Sequence, residues 1–101
     1  MTEKDKAREL VATILDEGLS VTIDNGEYVE VRRSRDPDAI ERELGAADME
    51  TLILYRGDTR VGSMLLVWGN DPEGSELVCD YTDNPLIDGI WRRVFWNEEV
   101  D

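Results

Sequence analysis

Thr51-Leu52-Ile53-Leu54-Tyr55-Arg56-Gly57-Asp58-Thr59-Arg60-Val61-Gly62-Ser63-Met64-Leu65-Leu66-Val67-Trp68 is the stretch that decides the fold. Two apolar runs of strand length, 51–55 and 61–68, meet across Gly57-Asp58. A link that short joins antiparallel neighbours, whereas parallel strands need a long crossover. Both runs are apolar on both faces over much of their length, which places them centrally in a sheet.

Upstream, Leu19, Val21 and Ile23 alternate with Ser20, Thr22 and Asp24, the period of a strand with one buried face. Tyr28-Val29-Glu30-Val31-Arg32 makes the next strand. A three-residue loop, Asp24-Asn25-Gly26, with Gly26 left-handed, sets Val21 opposite Val29 and Leu19 opposite Val31, so that the apolar faces agree. Before this hairpin, Ala7, Leu10, Val11, Ile14 and Leu15 follow helical spacing, predicting a helix over Thr2 to Glu17 that stops at Gly18. After it, Asp36-Pro37-Asp38 is a helix start, with Asp36 as cap and Pro37 where its missing N–H is not needed. That helix runs to Leu44 and closes at Gly45.

Downstream, Leu77-Val78-Cys79-Asp80-Tyr81 reads as a fifth strand, with Cys79 on the apolar side beside Leu77 and Tyr81. Asp83 or Asn84 caps a last helix that begins at Pro85, carries Ile87, Ile90, Trp91, Val94 and Phe95 on one face and reaches Trp96. The order α-β-β-α-β-β-β-α, with hairpins rather than strand-helix-strand alternation, predicts one α+β domain over residues 1–101. Its five-stranded antiparallel sheet carries helices mainly on one face.

Composition narrows the chemistry. Eleven basic against twenty-four acidic residues give a formal charge of −13, which repels nucleic-acid phosphates and anionic membranes alike. The absence of histidine removes Ser-His and Cys-His nucleophilic sites and His-ligated zinc. Cys79 is the only cysteine, so no intrachain disulfide or CxxC pair exists, and a reducing cytoplasm is the expected compartment. The polar start Met1 to Lys6 is not a secretory signal, and no apolar run is long enough to span a membrane. No cofactor is implied.

From Val61 to Trp91 there is no Lys or Arg, while Asp71, Glu73, Glu76, Asp80, Asp83 and Asp88 all fall there. This segment reads either as a continuous anionic patch or as a solvated acidic rim. The loops Asp24-Asn25-Gly26-Glu27 and Asp71 to Glu76 offer oxygens for calcium but lack the EF-hand order, and turn chemistry explains them more simply. Asp80 with Asp83 is the best local pair for carboxylate catalysis, yet so acid-rich a chain places some pair close by chance. Arg32, Arg33 and Arg35 form the one basic cluster, with Glu30, Asp36 and Asp38 as neighbouring partners. Trp96 and Trp68 are the tryptophans available as exposed contacts, since Trp91 lies on the apolar helical face.

In size and acidity the chain resembles small inhibitors encoded by phages and mobile elements, including DNA-mimic and anti-CRISPR proteins. The segments Val67-Trp68-Gly69-Asn70-Asp71 and Asp80-Tyr81-Thr82-Asp83-Asn84 are similar to segments of phage-type proteins. The resemblance implies a non-catalytic block of a basic protein or ribonucleoprotein surface, with Asp71, Glu73, Glu76, Asp80 and Asp83 as partner-binding residues. The alternatives are a housekeeping or regulatory protein-binding module, for which a homodimer through an exposed sheet edge is one form, and a carboxylate enzyme or calcium binder. The ending Glu98-Glu99-Val100-Asp101 resembles the chaperone peptide read by tetratricopeptide-repeat clamps, but it follows directly on a packed helix and reads as coincidence.

Overall fold

A computed structural model describes residues 2–27, 29–69, 74 and 76–96, the side chains of 29–31 excepted. The elements are α1 (Glu3–Asp16), β1 (Ser20–Asp24), β2 (Val29–Ser34), α2 (Pro37–Glu43), β3 (Met49–Arg56), β4 (Thr59–Val67), β5 (Val78–Tyr81) and α3 (Pro85–Phe95). The strands form one antiparallel sheet in the order β2-β1-β3-β4-β5, so the chain is α+β with the hairpin of 51–68 inside the sheet. No helix among the described residues is long and apolar enough to cross a membrane.

Local chemistry sets the helix starts. Thr2 and Asp5 form a reciprocal capping box on α1, Asp36 caps α2 ahead of Pro37, and Asn84 accepts the Ile87 N–H ahead of Pro85 on α3. Asn84, rather than Asp83, is therefore the cap of the last helix.

All three helices lie on one face of the sheet. α1 packs against both α2 and α3, α2 reaches β1 and β2, and α3 reaches β4. Leu10, Val11 and Ile14 of α1, Ile40 of α2, and Ile87, Ile90 and Val94 of α3 close over Val21, Ile23, Leu52, Leu54, Met64 and Leu66. Gly62 makes the closest approach possible, because a Cβ there would fall 2.6 Å from Ile87 Cγ1 and 3.2 Å from Thr82 Cβ.

The β1–β2 hairpin departs from the expected register. Asp24 pairs with Val29, Ile23 with Val31 and Val21 with Ser34, so Val21 opposite Val29 and Leu19 opposite Val31 are not formed. The turn is longer than three residues because Asp24 and Asn25 fold their own Oδ1 atoms onto the N–H groups of Gly26 and Glu27. Two irregularities in β2 then restore an apolar partner for Ile23, with Arg33 at φ +45° giving its N–H to Thr22 Oγ1. Gly26 is left-handed as expected, at φ +96°.

β5 corrects a second expectation. Leu65 pairs with Asp80 and Leu66 with Val78, so Cys79 is the extra residue of a bulge. Alternation breaks there, and Cys79 is exposed instead of packing beside Leu77. Leu77 precedes the strand and is fully buried.

Candidate interaction surface

The chain directs much of its scarce positive charge to its own helix ends and carboxylates. Lys4 Nζ donates to Leu44 O at the end of α2 (2.7 Å), Lys6 Nζ to Val94 O in the last turn of α3 (2.9 Å), and Arg35 to Leu15 O in the last turn of α1 (2.9 Å). Each helix thus ends on a cation from elsewhere in the chain, which adds a donor to a terminal carbonyl and opposes the negative end of the helix dipole. Arg8 bridges to Asp5 and Glu41, Arg93 to Asp16 and Glu17, Arg92 to Asp88, and Arg33 to Asp58 while lying over the Tyr55 ring. At least seven of the eleven basic side chains are therefore engaged by this chain's own carbonyls and carboxylates. Within the arginine cluster, Arg33 pairs with Asp58 and Arg35 with the Leu15 carbonyl, in place of Asp36 and Asp38.

Glu50, which lies outside the apolar strand pattern, is buried at 1% exposure on the helix-covered face. Its carboxylate accepts the N–H groups of Gly45 and Ala46 and, at 2.8 Å, the indole N–H of Trp68. Trp68 is consequently half-buried and fixed, with Lys4 Nζ 5.4 Å from its ring, and is not a free contact. Trp96 is exposed at 55%, with the Arg92 guanidinium over it.

Among the predicted partner-binding residues, Asp71 and Glu73 lie outside the described residues, as does the terminal Glu98-Glu99-Val100-Asp101. Glu76, Asp80 and Asp83 are all exposed around β5. Asp80 projects onto the sheet face opposite the helices, bordering a depression of about 260 Å³ with Thr51, Ser63, Leu65 and Thr82, and its Oδ1 accepts the Tyr81 N–H. Asp83 lies in the link to α3 and adds to the negative charge around the Tyr81 hydroxyl. That hydroxyl donates to Asp88 Oδ1 at 2.9 Å, a bond that raises the phenol above its ordinary value, with burial adding to it. Arg92 and then Tyr81 hold the Asp88 carboxyl below its ordinary range. Tyr81 also stacks on Trp91, which stacks on Phe95, so β5 and α3 are tied by both rings and charge.

The open face is mixed in character. Thr51, Ile53, Ser63, Leu65 and Val67 are half-buried there and Met49 is 52% exposed. A second depression, of about 280 Å³, lies beside Asp24, Gly26, Met49, Thr51 and Leu65. On the other side of the molecule, a cleft of about 210 Å³ between α1 and α2 is lined by Lys4, Ala7, Arg8, Glu41 and Leu44. Its charges already answer one another or a backbone carbonyl. Among the described residues, no group of three or more Cys, Asp or Glu is arranged to hold a metal ion.

The sheet edges are poor templates for another strand. β5 has four residues and a bulge, and its Tyr81 N–H is occupied by Asp80, while β2 carries two irregularities. Comparison with known proteins finds no matching family model, no matching curated protein and no matching solved structure.

Proposed function

We propose that this chain is a non-catalytic acidic protein that occupies a basic nucleic-acid-binding surface on a protein or ribonucleoprotein partner and blocks it. The observation that carries this reading is the disposition of charge. Lys4, Lys6 and Arg35 are held on helix ends and Arg8, Arg33, Arg92 and Arg93 in surface pairs with carboxylates, whereas Glu76, Asp80 and Asp83 stay exposed in a segment free of Lys and Arg. A net charge of −13 then acts outward. Such a field speeds encounter with a basic partner, selects against acidic ones and sets carboxylates where phosphates would sit. In this reading the protein works in the cytoplasm as an anti-defence inhibitor of the kind carried by phages and mobile elements. Blunted sheet edges favour it over a homodimeric module.

The test is affinity capture from source-cell lysate at low and high salt, with wild type beside a variant neutralised at Asp71, Glu73, Glu76, Asp80 and Asp83, followed by purification of the captured partner. The expected result is a basic nucleic-acid-binding partner, recovered by wild type at low salt alone, whose nucleic-acid binding falls as the chain is added. A partner held equally by both proteins and insensitive to salt, or one that still binds nucleic acid while holding the chain, overturns the reading.

A further inference from the structure

We infer that the open sheet face is the docking site for an amphipathic basic helix of the partner, laid along β3 and β4 between Asp24 and Asp80. The inference rests on the acidic-inhibitor reading above and specifies what that surface grips.

The strand registers assemble one row across this face. Asp24 pairs with Thr51, Thr51 with Leu65, and Leu65 with Asp80. Three strand spacings separate the two carboxylates, roughly 14 Å. An α-helix with side chains is about 10–12 Å across, so one helix fits between them with its flanks against both. The two depressions meet at the shared Thr51 and Leu65, leaving a low apolar saddle with one carboxylate on each side. Along the strands the strip runs from Met49 to Ile53 and is closed at the far end by Arg33 stacked on Tyr55. That length is about 15 Å, which accommodates roughly three helical turns.

The charge pattern selects the occupant. Apolar residues at i, i+3, i+4 and i+7 meet the Leu65 saddle, and Lys or Arg on both flanks meet Asp24 and Asp80. A second copy of this chain is disfavoured on the same surface, because it would bring two bodies of charge −13 together with carboxylate borders on both. Asp24 and Asp80 each use Oδ1 for a backbone N–H, of Gly26 and Tyr81 respectively, so the carboxylates are held in place on the two borders.

The experiment is an isotope-labelled titration of the full chain with a synthetic peptide carrying Leu at i, i+3, i+4 and i+7 and Lys on both flanks, beside a permuted peptide of identical composition. The expected result is amide shifts centred on Thr51, Ile53, Leu65 and Asp80, helix formation by the peptide, and binding at least about tenfold weaker for the permuted peptide. Asp24→Asn with Asp80→Asn, which keeps an Oδ1 acceptor at both positions, lowers affinity about tenfold, whereas Glu9→Gln with Asp38→Asn, on exposed helix positions away from this face, leaves it unchanged. Equal binding of both peptides, lost with Glu76→Gln and Asp83→Asn, overturns the docking site but leaves the acidic-inhibitor reading standing. Shifts on this face that grow with protein concentration alone identify a second copy and overturn it as well. Binding of neither peptide overturns it too, and the capture experiment then decides the broader reading on its own.

Discussion

Leu65 and Leu66 are neighbours in β4 and chemically identical, yet Leu66 is fully buried under the helices and Leu65 is half-exposed on the other side of the sheet. The same contrast runs through β3, where Leu52 and Leu54 are buried while Thr51 and Ile53 are not. Three helices of this length cover one face of a five-stranded sheet and no more, so apolar residues on both sides of a central strand do not mean burial on both sides. The covered face is closed by apolar contact and by cations drawn to helix ends. The open face keeps a thinner apolar strip between two carboxylates.

Breaking the covered face has the largest expected effect. Leu66→Ala removes a fully buried side chain and costs about 3 kcal/mol, while Leu65→Ala one position away costs under about 1 kcal/mol. Denaturant unfolding at constant slope measures both. Equal losses would mean that the open face is covered in solution.

A smaller effect tests the polar seam of the covered face. Glu50→Ala leaves the Gly45 and Ala46 N–H groups and the Trp68 indole N–H without their acceptor, at a cost of about 2 kcal/mol. Glu50→Gln keeps an acceptor oxygen and is expected to recover part of it. In a cycle with Trp68→Phe, the Glu50 and Trp68 losses should be less than additive, because they share one hydrogen bond. Full additivity would sink the pairing as a source of stability.

The parts of this structure legible in the sequence are those written by local chemistry. Asp36-Pro37 and Asn84-Pro85 each place a helix start within a few residues, the spacing of Ala7, Leu10, Val11 and Ile14 places α1, and Gly57-Asp58 places the central turn. What escaped depends on partners distant in the chain. The irregularities in β2 bring the Arg33 N–H onto Thr22, and the exposure of Cys79 follows from a bulge set by pairing to β4. Glu50 reads as one acid among many until three N–H donors converge on it. The candidate surface was half-visible: Asp80 stood out in a segment without cations, whereas Asp24 looked like turn chemistry alone. Only the register across β1, β3, β4 and β5 puts the two carboxylates in one row.

The smallest expected effect lies at the junction of the two faces, where β5 meets α3 through Tyr81, Asp88 and Arg92. Asp88 is held below its ordinary value of 3.8 by Arg92 and then by the Tyr81 hydroxyl, so its contribution is present above that pH and is lost as acid carries the medium through the lower folded value. Tyr81 is raised above its ordinary 10.0 by its bond to Asp88, so its contribution is complete below pH 10 and is lost as alkali passes through the higher folded value. The tie therefore holds between those two limits and weakens beyond each. Tyr81→Phe should abolish the alkaline loss and leave most of the acid one, which belongs first to Arg92, while Asp88→Asn should abolish the acid loss and only reduce the alkaline one, since burial still raises the phenol. Melting temperatures across the pH range, taken as differences from wild type, cancel the titration of every other group. A difference that stays flat for Tyr81→Phe would show that the phenol–carboxylate bond does not couple strand to helix. The β5 border of the open face would then be held by ring stacking on Trp91 and by pairing to β4 alone.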